Sequence, residues 1–152
     1  MISRITTIDD SVVEAFKSLG PLAYKESGLL GIYTPEIMIR FWQKFFQMGI
    51  GGMWKYETHG HIVGLMGGVI NMSMYDGKTS AEECFWFVHP KHRTIAGVRL
   101  FDAFKNWAKE CKCDRIVMGS IHDHCGNIQK FLERNGFTQF QKQYMMEVQC
   151  LQ

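Results

Sequence analysis

Two neighbouring stretches of this chain carry residue types and spacings suited to anion binding and proton transfer. The longer runs Val88-His89-Pro90-Lys91-His92-Arg93-Thr94-Ile95-Ala96-Gly97-Val98-Arg99-Leu100. A strand ending there, followed by a short basic turn and a new helix, leaves several backbone N–H groups aimed at one place with the positive helix end behind them. This predicts a phosphate cradle built from the main chain of Thr94, Ile95, Ala96, Gly97 and Val98, with Arg93 as a secondary cationic contact. The shorter stretch is Glu82-Glu83, on the strand leading into the turn. A carboxylate within hydrogen-bond reach, directly or through water, can take the proton of an attacking amine. Strict alternation puts Glu82 with Cys84, Trp86 and Val88 on one face and Glu83 with Phe85 and Phe87 on the other, so only one of them can serve a given site.

Further along, His122-Asp123-His124-Cys125 follows an apolar run, at the strand end where open sheets bind ligands. His122 or His124 is a candidate proton donor or relay, Tyr144 is another, and Asp123 suits the N-cap of the next helix. Cys111 and Cys113 lie too close in sequence for a structural zinc site, whose cysteines are spaced by about two to four residues, so no metal is expected.

The elements that must position these residues are readable from period and turn chemistry. Residues 2–7 read as a strand, and Asp9 or Asp10 caps a helix that Gly20 and Pro21 should end near Leu19. Thr34-Pro35 opens a second helix, whose apolar stripe of Ile37, Met38, Phe41, Trp42, Phe45 and Phe46 reads as core. Turns at His59-Gly60 and Asp76-Gly77 then separate three antiparallel strands, 53–58, 62–74 and 81–88. A helix from Gly97 places Leu100, Phe101, Phe104, Trp107, Ala108 and Cys111 on one face. After it come a strand over Arg115–Ile121, a helix over 126–135 stopped by Gly136, and a last strand over 138–148.

Composition bounds the rest. The chain has 152 residues, of which 46% are hydrophobic and 21% charged, so it folds as one domain, 1–152, and disorder is excluded. A net charge of +2 gives no general nucleic-acid surface. The longest run free of strongly polar residues, Ile62–Ile70, is far short of the roughly 20 residues of a membrane span. Five cysteines, an odd number, favour free thiols and a cytoplasmic setting.

Together these segments resemble the GNAT superfamily of N-acetyltransferases. The resemblance rests on Val88-His89-Pro90, on Arg93, Ala96 and Val98 at the positions of a Gln/Arg-x-x-Gly-x-Gly/Ala loop, on Phe131-Leu132-Glu133-Arg134-Asn135-Gly136-Phe137, and on the order of elements. It implies an α/β fold with a mixed sheet of about six or seven strands and about four helices, splayed between the fourth and fifth strands. It also implies acetyl-coenzyme A in that wedge, its diphosphate on the loop amides and its carbonyl polarised by strand amides near Trp86, Phe87 and Val88. The implied activity is transfer of the acetyl group to a primary amine of a small molecule or peptide. In the histone-acetylating branch the base precedes the loop Gln/Arg by eleven residues, which here falls on Glu82. The chain departs from the pattern at both loop glycines and at Leu132, where many members carry a Tyr acid. A second reading is therefore a catalytically degenerate module that binds coenzyme A or a protein partner. A homodimer is possible through the unpaired last strand.

Overall fold

The computed structural model describes residues 1–29, 31–119 and 127–145. The chain divides into two compact units, Met1–His122 and Asp123–Gln152. In the first, β1 (Ile2–Ile5), α1 (Asp10–Ser27), α2 (Pro35–Gln47), β2 (Gly51–Thr58), β3 (His61–Met72) and β4 (Thr79–Val88) follow in order. A 3-10 turn at Pro90–His92, α3 (Ile95–Glu110) and β5 (Arg115–Val117) complete it. The second unit contains α4 (Asn127–Arg134).

The five strands form one mixed sheet in the order β1-β2-β3-β4-β5, antiparallel except for the parallel pair β4–β5. Among the described residues this is fewer than the six or seven expected. Residues 138–145 of the anticipated last strand carry no strand, and 146–148 lie outside the described residues. The expected strand from Arg115 stops at Val117, with its end at Ile121 also outside them.

Each face of the sheet has its own core. α3 packs Ala96, Leu100, Phe104, Trp107 and Ala108 against Trp54, Met66, Ala81 and Val88. On the opposite face α1 and α2 bring Val12, Phe16, Leu19 and Trp42 onto Met53 and Leu65, with Phe85 and Phe87 partly buried beside them. The α2 stripe is wider than this contact. Trp42 is fully buried, whereas Ile37 and Phe41 face solvent.

Turn chemistry behaves as its residues dictate. Asp9 accepts the Val12 N–H at 3.0 Å to cap α1, His59 and Gly60 take positive φ in the first hairpin turn, and Gly136 closes α4 with φ 86°. The helix stop at Gly20-Pro21 does not hold, because α1 continues to Ser27 and ends at Gly28. Pro21 offers no N–H to the turn before it, but Tyr33 lies against the bare Gly20 and donates from its hydroxyl to the Phe16 carbonyl at 3.0 Å. Tertiary packing thus supports the helix where local propensity would end it. Among the described residues no helix is long and apolar enough to cross a membrane.

Candidate active site

Trp86, Phe87 and Val88 end β4 and lead through Arg93 and Thr94 into the start of α3, whereas Glu82 and Glu83 lie in the middle of β4, six and five residues before Val88. Trp86 and Val88 point toward α3, where the Trp86 and Phe101 rings stack at 5.8 Å, while Phe87 points to the α1–α2 side. The β4–β5 ladder comprises three pairs, Ser80–Arg115, Ala81–Ile116 and Glu82–Val117. Beyond Glu82, β4 continues to Val88 paired with β3, from Glu83–Gly68 to Val88–Gly64 with one register shift between them.

α3 begins immediately after this strand end. Thr94 precedes it without a side-chain cap bond, and its first turn contains no acidic residue. By helix geometry the first four amides, those of Ile95, Ala96, Gly97 and Val98, have no acceptor within the helix. Ala96 and Gly97 face inward, and a Cβ on Gly97 would stand 3.6 Å from the Trp86 ring; Ile95 and Val98 are exposed. The bareness of Gly97 is therefore turned toward Trp86. These small inward residues, exposed amides and the nearby Lys91 and His92 fit the diphosphate of a coenzyme A molecule in charge and donor type.

Arg93 is oriented differently from the sequence reading. Its Nε donates to the Val88 carbonyl at 3.1 Å, its Nη2 reaches both carboxylate oxygens of Glu26 at 2.6 and 2.5 Å, and its guanidinium lies 5.6 Å over the Phe87 ring. The basic turn is held further by His89 N–H to the Val63 carbonyl and His92 N–H to the His89 carbonyl, both 2.8 Å.

The two glutamates do not alternate as expected. Glu83 pairs with Gly68 and Phe85 with Gly67, so Cys84 is an extra residue, a β-bulge that shifts the phase of the strand. A Cβ on Gly68 would meet Phe104 of α3, and directly opposed residues share a face, so Glu83 lies on the α3 face with Ala81, Trp86 and Val88. Glu82, opposite Val69, shares the other face with Phe85 and Phe87. The face assignments for Glu82 and Glu83 relative to Trp86 are thus exchanged, and the cause is a bulge that no side-chain pattern announced.

Their environments differ as well. Glu82 accepts a 3.3 Å hydrogen bond from Asn71. Glu83 accepts the Gly119 N–H at 3.0 Å, a side-chain bridge between β4 and the chain after β5, just past the last ladder pair. Burial pushes the Glu83 carboxyl up to about 7, against the opposing pull of the Gly119 hydrogen bond. Burial, then the charges of Glu83 and Glu82, push the Cys84 thiol up to about 11, so it is a thiol rather than a thiolate at neutral pH. Glu83 is the residue whose special position sequence reasoning missed. The signal was Gly67-Gly68 on the neighbouring strand, where two adjacent glycines admit an irregular partner.

His122, Asp123, His124 and Cys125 lie outside the described residues. Tyr144 belongs to the second unit and is exposed there; Leu132, at the position of the family's Tyr acid, is on α4.

A mixed sheet of five strands with four helices among the described residues is the α/β architecture of the GNAT acetyltransferases. Residues 23–137 match the family model described as the Acetyltransferase (GNAT) family, and the chain belongs to that family. No match was found among curated proteins. Among solved structures, the ribosomal-protein-alanine N-acetyltransferase of Brucella melitensis biovar Abortus 2308 is similar with a TM-score of 0.71 at 14% identity, over 97% of this chain and 99% of that one. AAC(6')-Iy in complex with the bisubstrate analogue CoA-S-monomethyl-acetylneamine gives 0.74 at 14% identity, over 99% and 98%. A protein of Clostridium acetobutylicum described as a predicted acetyltransferase, solved with acetyl-CoA, gives 0.73 at 14% identity, over 97% and 96%.

Proposed function

We propose that the protein transfers an acetyl group from acetyl-coenzyme A to a primary amine. The observation that carries this reading is the first turn of α3, without a side-chain cap or an acidic residue, at the end of a β4 that outruns its ladder with β5. The diphosphate binds the amides of Ile95 to Val98, and the pantetheine arm lies along β4 beyond Glu82, where the strands splay. Main-chain N–H groups near Trp86 polarise the thioester carbonyl, and positioning and electrostatics carry most of the rate. The amine attacks the carbonyl carbon, the C–S bond breaks, and coenzyme A leaves as its thiolate or thiol. Glu83 takes the ammonium proton, since a base poised near pH 7 is half ionised at the working pH. Glu82, eleven residues before Arg93, is the competing base. The free thiols of Cys84, Cys111 and Cys113 suit a reducing, cytoplasmic setting.

The binding half of this proposal is tested by calorimetric titration with acetyl-coenzyme A and by melting curves. At about 100 times the dissociation constant, binding to the native state adds about 2.7 kcal/mol of stability. No heat and no shift at millimolar ligand would overturn it. The chemical half is tested with one identified amine acceptor. Glu83→Gln should lower turnover about 10² to 10⁴-fold near pH 7 while Glu82→Gln changes it little, and the reverse ranking would reassign the base.

A further inference from the structure

We infer that Arg93 is a brace for the cofactor turn rather than a phosphate ligand, and that Glu26 is the positioning residue that holds the brace; this rests on the coenzyme A reading above. The guanidinium is a rigid plane, so the direction of one N–H fixes the others. With Nε on the Val88 carbonyl, the plane lies over Phe87 and Nη2 is delivered to Glu26. Swinging it toward the first turn of α3 would break the Val88 bond. One side chain thus ties together the last residue of β4, the basic turn and the C-terminal turn of α1.

Glu26 has no reason of its own to be where it is. It occupies the last turn of α1, beside the negative helix end, where a carboxylate is unfavourable and a cation is preferred. Its contact with Arg93 spans 67 residues of sequence, so it serves tertiary rather than local structure. Both side chains are about half exposed, at 48% and 46%, which limits the pair to a modest effect.

The experiment is a double-mutant cycle on coenzyme A affinity, with hydrogen exchange of the turn in the ligand-free protein. Glu26→Gln should raise the coenzyme A dissociation constant about fivefold. Arg93→Gln should raise it at least as much, and the double variant no further than Arg93→Gln alone. The KM for acetyl-coenzyme A should rise in parallel while kcat stays within about twofold, as expected when only ground-state positioning is lost. The amides of His89 and His92 should exchange several-fold faster in Glu26→Gln, with those of β2 and β3 unchanged. If Arg93→Gln alone weakens binding and Glu26→Gln binds equally or more tightly, Arg93 is a phosphate ligand and the brace is refuted. Unchanged exchange at His89 and His92 refutes it as well. Failure of the unaltered protein to bind coenzyme A would instead overturn the functional reading, and the exchange measurement would still judge the brace.

Discussion

Replacing Glu83 by Gln should make the protein more stable at neutral and alkaline pH. The folded-state pKa of about 7 stands above the ordinary 4.5, so the native state holds the proton more tightly than the unfolded chain does. A native state that binds more protons loses stability as pH rises, here from about pH 4.5 to just above 7. Over that window, from 4.5 to about 7 at about 1.4 kcal/mol per pH unit, the deficit grows to about 3 to 4 kcal/mol and is complete above pH 8. Glutamine is never charged, and its carbonyl can still accept the Gly119 N–H that the carboxylate accepts at 3.0 Å. Urea denaturation of both proteins from pH 4 to 9 is the assay. The curves should coincide near pH 4 and diverge to about 3 to 4 kcal/mol by pH 8, a difference of roughly 6 to 16 °C in melting temperature. The other shifted carboxylates, Asp9, Asp76 and Asp114, have lowered values and titrate alike in both proteins, so they cancel. Parallel curves across the whole range would refute the claim that burial of Glu83 costs stability.

Two further substitutions test the geometry around the site. Gly68→Ala would place a Cβ 2.4 Å from the Phe104 ring and 2.7 Å from the Glu82 carbonyl oxygen, and should cost about 1 to 3 kcal/mol in chemical denaturation; wild-type stability would show that the strand yields freely. Gly97→Ala meets only an ordinary 3.6 Å contact with Trp86 and gains helix propensity, so it should stabilise by up to about 1 kcal/mol without changing coenzyme A affinity in a titration.

Features fixed by local chemistry were the legible ones. The Asp9 cap, the His59-Gly60 turn, Pro35 at the start of α2 and the Gly136 stop each depend on a few adjacent residues, and each is found where it was expected. What the residues concealed depends on distant partners. Gly20-Pro21 looks like a stop until Tyr33 arrives from 13 positions away to pack on it. Ile37 and Phe41 look like core because helical spacing cannot reveal how wide the sheet beneath is. The pairing of Arg93 with Glu26, 67 residues away, could not be read from the turn's own residues. The strand–turn–helix sequence at residues 79–110 was legible because its parts are contiguous in the chain.

The bulge at Cys84 divides β4 into two half-strands that obey opposite parity rules: odd residues face α3 before it, and even residues face α3 after it. Cys84 thus acts as a reading-frame offset in the pattern of the strand. Deleting it would restore perfect alternation in the sequence and ruin the fold, since either Phe85 and Phe87 would be driven against α3 or Ala81 and Glu83 would be turned to the opposite helices. The position should accept many side chains but no loss of a residue. The number of residues between Glu83 and Trp86, more than their identity, keeps the carboxylate and the Trp86 ring on the same side of the sheet.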